Sequence, residues 1–267
     1  NINIKNIGKS FDITSAVKDF KPGQVLYNSN GFGYGVFPIY KDKIYTYEDI
    51  KDTVSRGYQF INLYENMLNG DVSANETYTV FLEAIKTENN ELITNFLSSK
   101  IQQIYWTFLT EKQQKVTQQI TENTLLNLLE SDVPSNIKKT LFDLYQSIAI
   151  SEEGKSNLYQ IWNKKKTIKN LFLNENEFTS LAFDLAIYQH SKSDEILDKQ
   201  AKNITNPDML ERFKWLLPSV SNDEKVRDDF MQSLLQKENR EKESWVETAL
   251  NNMHHPIRQQ KSVKHLK

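Results

Sequence analysis

The sequence predicts a mainly α-helical protein, a superhelical α-α solenoid of the HEAT or armadillo kind that follows a short N-terminal β segment. Apolar and polar residues alternate over much of residues 1–45, which is typical of strands. From about Tyr47 onward, apolar residues recur every three or four positions, which is typical of helices. We therefore expect the C-terminal strands of a β-sandwich domain at residues 1–45 and an α-helical superhelical domain at residues 46–267.

The first region reads as four short strands separated by turn residues. A Pro22-Gly23 turn and alternating apolar positions support these strands; the alternating positions are Ile2, Ile4, Ile7, Phe11 and Ile13. Four short strands do not readily make an independent domain with a covered face. We therefore expect them to form the edge of a larger sandwich that lies mostly upstream.

The stretch NSNGFGYGVFPIY, residues 28–40, holds three of the eight glycines and raises the question of a phosphate-binding loop. Such a loop needs a helix that begins at its last glycine. Here Gly35 is followed by β-branched, aromatic and proline residues, and Tyr34 and Val36 share one face at period two. The stretch therefore predicts a strand that is entered through a turn, and not a nucleotide site.

Helix-start signals repeat along the rest of the chain. Four pairs have the spacing of a capping box: Ser73 with Glu76, Thr110 with Gln113, Asn174 with Glu177, and Ser221 with Glu224. Pro134 and Pro207 suit a first helical turn, and Asn206 is a good N-cap for the second of these. The starts lie roughly 15 to 25 residues apart, which predicts about eleven helices and a two-helix repeat of about 40 residues.

Apolar periodicity assigns buried faces to the first three helices. The first face comprises Ile50, Val54, Tyr58, Ile61, Tyr64 and Leu68, with Gly70 where the helix ends. The second comprises Thr77, Phe81, Ala84 and Ile85. The third comprises Leu92, Phe96, Ile101, Ile104, Tyr105 and Phe108. The four tryptophans also fall on apolar helical faces, so we expect them in the core.

Charge and composition argue against several classes of partner. The chain has 33 basic and 35 acidic residues, for a formal charge of -2, which gives no support to nucleic-acid binding. No apolar run approaches the roughly 20 residues that a membrane helix needs, so we expect no membrane partner. The chain has no cysteine, which excludes disulfides and thiolate metal ligands. It begins at Asn1, so we expect a processed or cut piece whose targeting segment is not visible.

The histidines and carboxylates predict neither a catalytic nor a metal site in this chain. None of the four histidines lies in an HExxH motif, where two imidazoles on one helical face bind zinc. His254 and His255 are adjacent, so on a helix their directions diverge by about 100° and they cannot both face one ion. We expect them at a helix end before Pro256, where a protonated histidine interacts favourably with the helix dipole.

Several stretches, in their order and spacing, resemble bacterial members of the M1 family of zinc aminopeptidases. LYNSNGFGYGVFPIY, residues 26–40, resembles the strand that ends the β-sandwich domain of that family, although Gly35 stands where the family usually has an arginine. SRGYQFINLYENMLNG, residues 55–70, resembles the first helix of its C-terminal helical domain. Residues 204–230 and 239–258 are similar to later helices of that domain.

The resemblance covers the chain from about Gly23 to Arg258 and implies the C-terminal portion of such an enzyme. The HExxH motif, the third zinc-binding glutamate and the GxMEN motif of the family are missing from the sequence. The resemblance therefore implies no cofactor in this fragment, and zinc in a parent enzyme that removes N-terminal residues from peptides. The implied partners are the upstream catalytic and β-sandwich domains of the same chain and the peptide substrate. The compartment of the parent stays open between periplasm or cell envelope and cytoplasm.

The resemblance also suggests substrate-binding residues. LERFKWLLP, residues 210–218, is similar to a segment of the leukotriene-hydrolase branch of the family, in which an arginine anchors the terminal carboxylate of the substrate. By position, Arg212 would be that arginine and Lys214 an accessory cation. His254, His255 and Arg258, at the end of a similar stretch, complete the set of candidates.

Two alternatives stay open at this point. Arg212 could be an ordinary surface residue that pairs with Glu211 or Glu224. The whole chain could be a stand-alone helical-repeat scaffold that binds a protein partner through its concave face.

Overall fold

Helices dominate the structure, a computed structural model that describes residues 26–39 and 46–266. Twelve α-helices lie in these residues, eleven of them at least 10 residues long, and no strand lies among them. The predicted mainly α, helical-repeat-like fold is confirmed, with about the predicted number of helices. The strands predicted in residues 1–25 and 40–45 lie outside the described residues.

Contacts divide the chain into two compact units, Asn1–Val72 and Ser73–Lys267. In the first unit, a 3-10 turn at Thr46–Asp49 precedes helix α1 at Thr53–Leu68. Asp52 caps α1 by accepting a hydrogen bond from the Ser55 N–H (2.7 Å). Gly70 follows the helix with a φ of 82°, which confirms it as the predicted terminating glycine.

The glycine-rich stretch of this unit forms a turn followed by extended backbone. The side-chain amide of Asn28 accepts from the Gly33 N–H (2.6 Å) and donates to the Gly33 carbonyl oxygen (3.0 Å). A Cβ at Gly33 would lie 2.9 Å from Asn28 Oδ1, so a larger residue would displace the Asn28 amide from its two hydrogen bonds. Gly31 has a φ of 72°, which also favours glycine. These glycines therefore serve a compact turn.

The strand predicted from Tyr34 onward is not formed over residues 34–39, because a helix satisfies the backbone there. Asn62 of α1 accepts a hydrogen bond from the Phe37 N–H (2.9 Å) and donates to the Phe37 carbonyl oxygen (3.0 Å). Asn66 donates to the same oxygen (2.9 Å), and the Phe37 ring packs edge-on against Tyr58. Side-chain amides thus take the place of a partner strand.

The buried face of α1 differs from the predicted one. The buried residues are Phe60, Asn62, Leu63, Tyr64, Asn66 and Met67, whereas the predicted Val54, Ile61 and Leu68 are exposed. The apolar members of the buried set follow the i, i+3, i+4, i+7 spacing of one helical stripe. The two asparagines on this face are polar, and they are buried because they hold Phe37.

The second unit contains the other eleven helices. They are α2 Ala74–Ala84, α3 Glu91–Gln103, α4 Glu111–Glu130, α5 Ser135–Ile148, α6 Glu152–Trp162, α7 Glu175–Ile187, α8 Ser193–Asn203, α9 Pro207–Val220, α10 Glu224–Ser233, α11 Glu243–Met253 and α12 Gln259–Ser262. No helix of the described residues, α1 included, is long and apolar enough to cross a membrane.

The odd-numbered helices of this unit pack in one series, α3 on α5, α5 on α7, α7 on α9 and α9 on α11. The helices between them attach to that series, with α4 on α5, α6 on α7, α8 mainly on α7 and also on α9, and α10 on α9. Stacked Phe183 and Phe213 rings, with centroids 4.9 Å apart, join α7 to α9. Helices therefore pack mainly on their near neighbours along the chain, as in a helical repeat.

Most of the predicted helix starts are confirmed. Ser73, Thr110 and Asn174 each form a complete capping box, at the start of α2, α4 and α7. Asn206 caps α9 with Pro207 in its first turn, also as predicted. Ser221 is the exception, because it ends α9 while Asp223 caps α10.

A second difference concerns Pro134, which is the N-cap of α5 and does not lie in its first turn. The predicted face of α2 is confirmed, since all four of its residues are buried. The third predicted face is correct at Ile101, Ile104 and Tyr105, but Leu92 and Phe108 are exposed. The error at Phe108 has a local cause, because the last part of that segment, Ile104–Phe108, is a π-helical turn.

A polar cluster lies between α5 and α7. Gln146 Nε2 donates to Asp184 Oδ2 (2.5 Å) and to Ser180 Oγ (3.0 Å), and the Tyr188 hydroxyl donates to the Gln146 carbonyl oxygen (2.9 Å). Burial raises the pKa of Asp184 to about 7, and this effect exceeds the opposing effect of the hydrogen bond from Gln146. Ionisation of Asp184 therefore costs stability in the folded protein.

We expect Asp184→Asn to remove part of the pH dependence of stability. The folded pKa of Asp184 lies above its unfolded value of 3.8, so the native state binds more protons between about pH 4 and pH 7. The contribution of Asp184 to the free energy of unfolding should therefore fall as pH rises through that window, by up to about 1.4 kcal/mol per pH unit. The variant should lack this fall in urea unfolding near pH 5 and pH 8.

Asp198→Asn is the matched control for this prediction, because Asp198 is an exposed carboxylate on the neighbouring helix α8. The control variant should keep the pH dependence of the parent chain. If the unfolding free energies of both variants depended on pH in the same way, the ionisation of Asp184 would cost the folded protein no stability, and the prediction would be wrong.

Candidate functional site

A cleft of about 480 Å³ in the second unit is the strongest candidate for a functional site, and its volume is that of a small-molecule pocket. It lies between the π-helical turn, the start of α4 and the segment after α11 that runs from His254 to Lys261. Its walls include two aromatic side chains, an amide and four cations: Tyr105, Trp106, Gln118, Lys115, Arg227, Arg258 and Lys261.

The π-helical turn positions Trp106 at the cleft. The Leu109 N–H bonds to the Ile104 carbonyl oxygen (3.0 Å), five residues back, so the turn holds one residue more than an α-helical turn. The Trp106 indole N–H donates to the Ser147 carbonyl oxygen (3.0 Å) of α5, which fixes the ring. Trp106 is consequently half-buried, with part of its ring in the core and part in the cleft wall.

A hydrogen-bond network fixes another wall. Gln118 accepts from the Tyr105 hydroxyl and donates to Glu122 Oε1 (2.5 Å) and to the Ile148 carbonyl oxygen (2.9 Å). Glu122 is buried and accepts from both the N–H and the hydroxyl of Ser151, the N-cap of α6. Burial raises the pKa of Tyr105, which keeps its hydroxyl protonated as the donor to Gln118.

Two buried arginines occupy the opposite side of the cleft. Arg258 is 3 % exposed and donates to the carbonyl oxygens of Ser219 (3.0 Å), Val220 (2.8 Å) and Ser221 (3.3 Å) at the end of α9. Arg227 is 7 % exposed and donates through Nη1 to the same Ser221 oxygen (2.6 Å). Because they share one acceptor, the two guanidinium groups lie side by side.

Neither arginine has a carboxylate partner among the described residues. The acids nearest in the fold, Glu224 and Asp228, are both engaged by Lys264 at 2.7 Å. Burial and, to a smaller extent, the neighbouring charge of Arg227 lower the pKa of Arg258 to about 10. The carbonyl dipoles at the end of α9 are thus the main compensation for two adjacent positive charges.

Of the five predicted substrate-binding residues, one lines this cleft and a second contacts a residue of its wall. Arg258 lines it, and the His255 ring packs edge-on against Trp106 with centroids 4.9 Å apart. His254 lies outside the cleft wall and faces His265, with ring centroids 6.3 Å apart. Arg212 and Lys214 lie on α9 away from the cleft lining.

The predicted protonation of the histidine pair is wrong. His255 caps the following 3-10 helix, Pro256–Arg258, by accepting a hydrogen bond at Nδ1 from the Ile257 N–H (3.3 Å), which requires an unprotonated Nδ1. Burial and the charge of Arg258 lower the pKa of His255 to about 4. Burial also lowers the pKa of His254. The pair therefore supplies aromatic contacts and a cap, and no cation at neutral pH.

Arg212 of α9 is half-buried and contacts α11. Its guanidinium donates to Thr248 Oγ1 (3.0 Å) of α11 and has no carboxylate partner among the described residues. Glu211 pairs with Lys242 (2.7 Å), and Glu224 pairs with Lys264. The expected alternative, pairing of Arg212 with one of these two acids, is therefore not what the structure has. Lys214 is exposed.

Two residues of the cleft were missed by sequence reasoning. Trp106 was expected in the core, and a π-helical turn has no sequence signal that would have placed its ring at a surface. Arg227 lies in a strongly charged stretch, NDEKVRDDF, whose pattern predicts that every charged side chain faces solvent. Its burial depends on the end of α9, a contact that no local pattern encodes.

The part of the chain that the structure describes contains no group of three or more histidine, aspartate or glutamate side chains arranged to hold a metal ion. No known family model matches the chain, and no curated protein sequence is similar to it.

We expect the His255 ring to stay neutral well below pH 6. Its folded pKa of about 4 lies below the unfolded value of 6.5, so the unfolded chain binds more protons between these values. Stability conferred by the neutral ring is present above about pH 6.5 and is lost as pH falls toward 4. His255→Asn keeps an N-cap acceptor without the titration, so its unfolding free energy should lack the rise with pH that the neutral ring gives the parent chain between about pH 4.5 and pH 7.

The ring can be followed directly by NMR titration of the histidine signals, with His255→Asn used to assign the signal that disappears. A His255 signal that titrates near 6.5, as in the urea-unfolded chain, would contradict the neutral cap.

Proposed function

We propose that this chain is the non-catalytic C-terminal region of an M1-family zinc aminopeptidase, and that it caps the active-site chamber and helps to bind peptide substrate. In this proposal, the parent enzyme removes N-terminal residues from peptides. The helical region closes over the chamber of the upstream catalytic domain, limits the size of the substrate and excludes bulk water.

The order of the M1-like stretches supports the proposal. The stretch that resembles the first helix of the M1 helical domain, residues 55–70, falls largely on α1. The two later stretches fall on α9 with α10 and on α11. Each stretch that the resemblance assigns to a helix is therefore helical, as the proposal requires.

The environment of Arg212 carries the substrate-binding part of the proposal. A half-buried guanidinium that bonds only a threonine hydroxyl among the described residues keeps donors for a further partner. A carboxylate is the partner that a guanidinium fork fits best, because both oxygens can accept at once. Lys214, exposed two residues on, points to a different face of α9, so as an accessory cation it would act only at longer range.

Zinc belongs to the upstream domain in this proposal, since the described residues of this chain do not fit a zinc site. We accordingly expect the isolated 267-residue chain to hold no stoichiometric zinc and to release no amino acid from aminoacyl amides. Metal analysis of chelator-washed protein and an aminopeptidase assay measure both. One tightly bound zinc per chain, or robust turnover, would refute the assignment.

We expect Arg212→Ala, made in the full-length enzyme, to impair peptides selectively. Loss of a charged, bidentate hydrogen-bonded pair should reduce kcat/KM for peptides by on the order of 2 kcal/mol. Matched aminoacyl amides, which have no terminal carboxylate, should be spared. Parallel kinetics on the two substrate series measure the difference.

Arg240→Ala is the matched control, because Arg240 is an exposed arginine of the same unit. It should leave both substrate series unchanged. Equal loss on peptides and amides for Arg212→Ala, or no loss on either, would remove Arg212 from substrate binding.

The competing proposal is a stand-alone helical-repeat scaffold that binds a protein partner. The coding sequence upstream of Asn1 separates the two, because an HExxH motif there would identify a catalytic domain on the same chain. An upstream region without that motif would leave the scaffold as the better proposal.

A further inference from the structure

At the cleft beside the π-helical turn, Arg227 has hydrogen-bond donors that its contacts within the protein do not use. Arg227 bonds the Ser221 carbonyl oxygen through Nη1 alone, and its Nε and Nη2 make no hydrogen bond to the described residues. Neither nitrogen belongs to the fully buried polar atoms that lack a partner, so each keeps some solvent-accessible surface. These two nitrogens form the side of a guanidinium that can hold both oxygens of one carboxylate.

The charge around the cleft favours an anionic ligand. Arg227 and Arg258 lie side by side without a carboxylate partner, and Lys115 and Lys261 add two exposed cations to the lining. Glu111 is the single acid in that lining, and it accepts a hydrogen bond from Gln260 (3.4 Å). A ligand anion would supply the counter-charge that the two buried guanidinium groups lack.

The size and lining of the cleft indicate the rest of the ligand. A volume of about 480 Å³ exceeds what an inorganic ion fills. The half-buried Trp106 ring and the Ile257 side chain contribute apolar surface next to the cations. A doubly charged phosphate ester would pay a larger desolvation cost on that surface than a carboxylate on an apolar body.

We propose that this cleft binds the carboxylate of a small organic acid, with Arg227 as its bidentate partner and the surface around Trp106 as the seat of its apolar body. The site is separate from Arg212, so it stands or falls independently of the aminopeptidase proposal. The same chemistry could be presented by a free acid or by the C-terminal carboxylate of a peptide.

The test uses the whole 267-residue chain and 3-phenylpropionate as the probe, with 3-phenylpropionamide and inorganic phosphate as comparisons at constant ionic strength. Titration calorimetry gives the affinity, and the NMR signal of the Trp106 indole N–H reports the site. We expect the acid to bind at least tenfold more tightly than either the amide or phosphate, and to shift the Trp106 signal. Equal affinity for acid and amide, or tighter binding of phosphate, would overturn the proposal.

Variants separate the guanidinium fork from general charge. Arg227→Lys keeps the positive charge and can still donate to the Ser221 oxygen, but it has no fork, so affinity should fall about tenfold. The double variant Lys115→Gln with Lys261→Gln leaves the end of α9 untouched and should weaken binding severalfold. If Arg227→Lys does not fold, this double variant shows whether the ligand binds at the cleft. Lys112→Gln, an exposed lysine of α4 outside the lining, is the control, and an equal loss there would reject the site.

A last measurement identifies the source of the carboxylate. A hexapeptide with a free C-terminus and its amidated counterpart compete against bound 3-phenylpropionate. Displacement by the free peptide alone assigns the site to peptide ends, and displacement by neither assigns it to free acids. Displacement by both peptides equally would contradict recognition of a carboxylate.

Discussion

The contact between Arg258 and the end of α9 determines the form of the candidate site. Three carbonyl oxygens at that helix end lack intrahelical partners, and one guanidinium satisfies all of them. This contact ties the segment after α11 to α9, and the tied segment in turn places His255 against Trp106 and completes the cleft. Loss of the contact would leave the Ser219 and Val220 carbonyls without this donor, while Ser221 would keep Arg227, so the packing of the segment depends on the Arg258 side chain.

Side-chain amides also join separate segments of the chain by hydrogen bonds, and they do so in both units. Asn62 bonds both backbone groups of Phe37, Gln118 joins α4 to α5, and Gln200 accepts from the Trp162 indole (2.9 Å) to join α6 to α8. An amide has both donors and an acceptor, so it can satisfy a backbone group and a second helix at once. These contacts are directional, and they specify register between helices whose apolar faces alone would tolerate sliding.

The sequence predicted what is local and missed what is long-range. Capping boxes such as that of Ser73 depend on atoms three residues apart, so pattern alone identified them. The buried face of α1 was misassigned because two apolar stripes have helical spacing, and the choice rests on Phe37, 25 residues from Asn62. Of the residues that line the cleft, only Arg258 was among the predicted site residues, and neither the burial of Arg227 nor the position of Trp106 follows from a spacing rule.

The adjacent buried charges of Arg227 and Arg258 couple the binding of an anion to the packing of the segment after α11. Repulsion between Arg227 and Arg258 opposes the packing of the segment after α11, while the carbonyl dipoles of α9 favour it. An anion bound between them removes the repulsion and leaves the favourable contacts, so it binds the packed segment better than the detached one. By mass action, the ligand then stabilises that segment by an amount that grows with ligand concentration. Binding at the cleft is thereby coupled to the order of the same segment that carries His255 and Arg258.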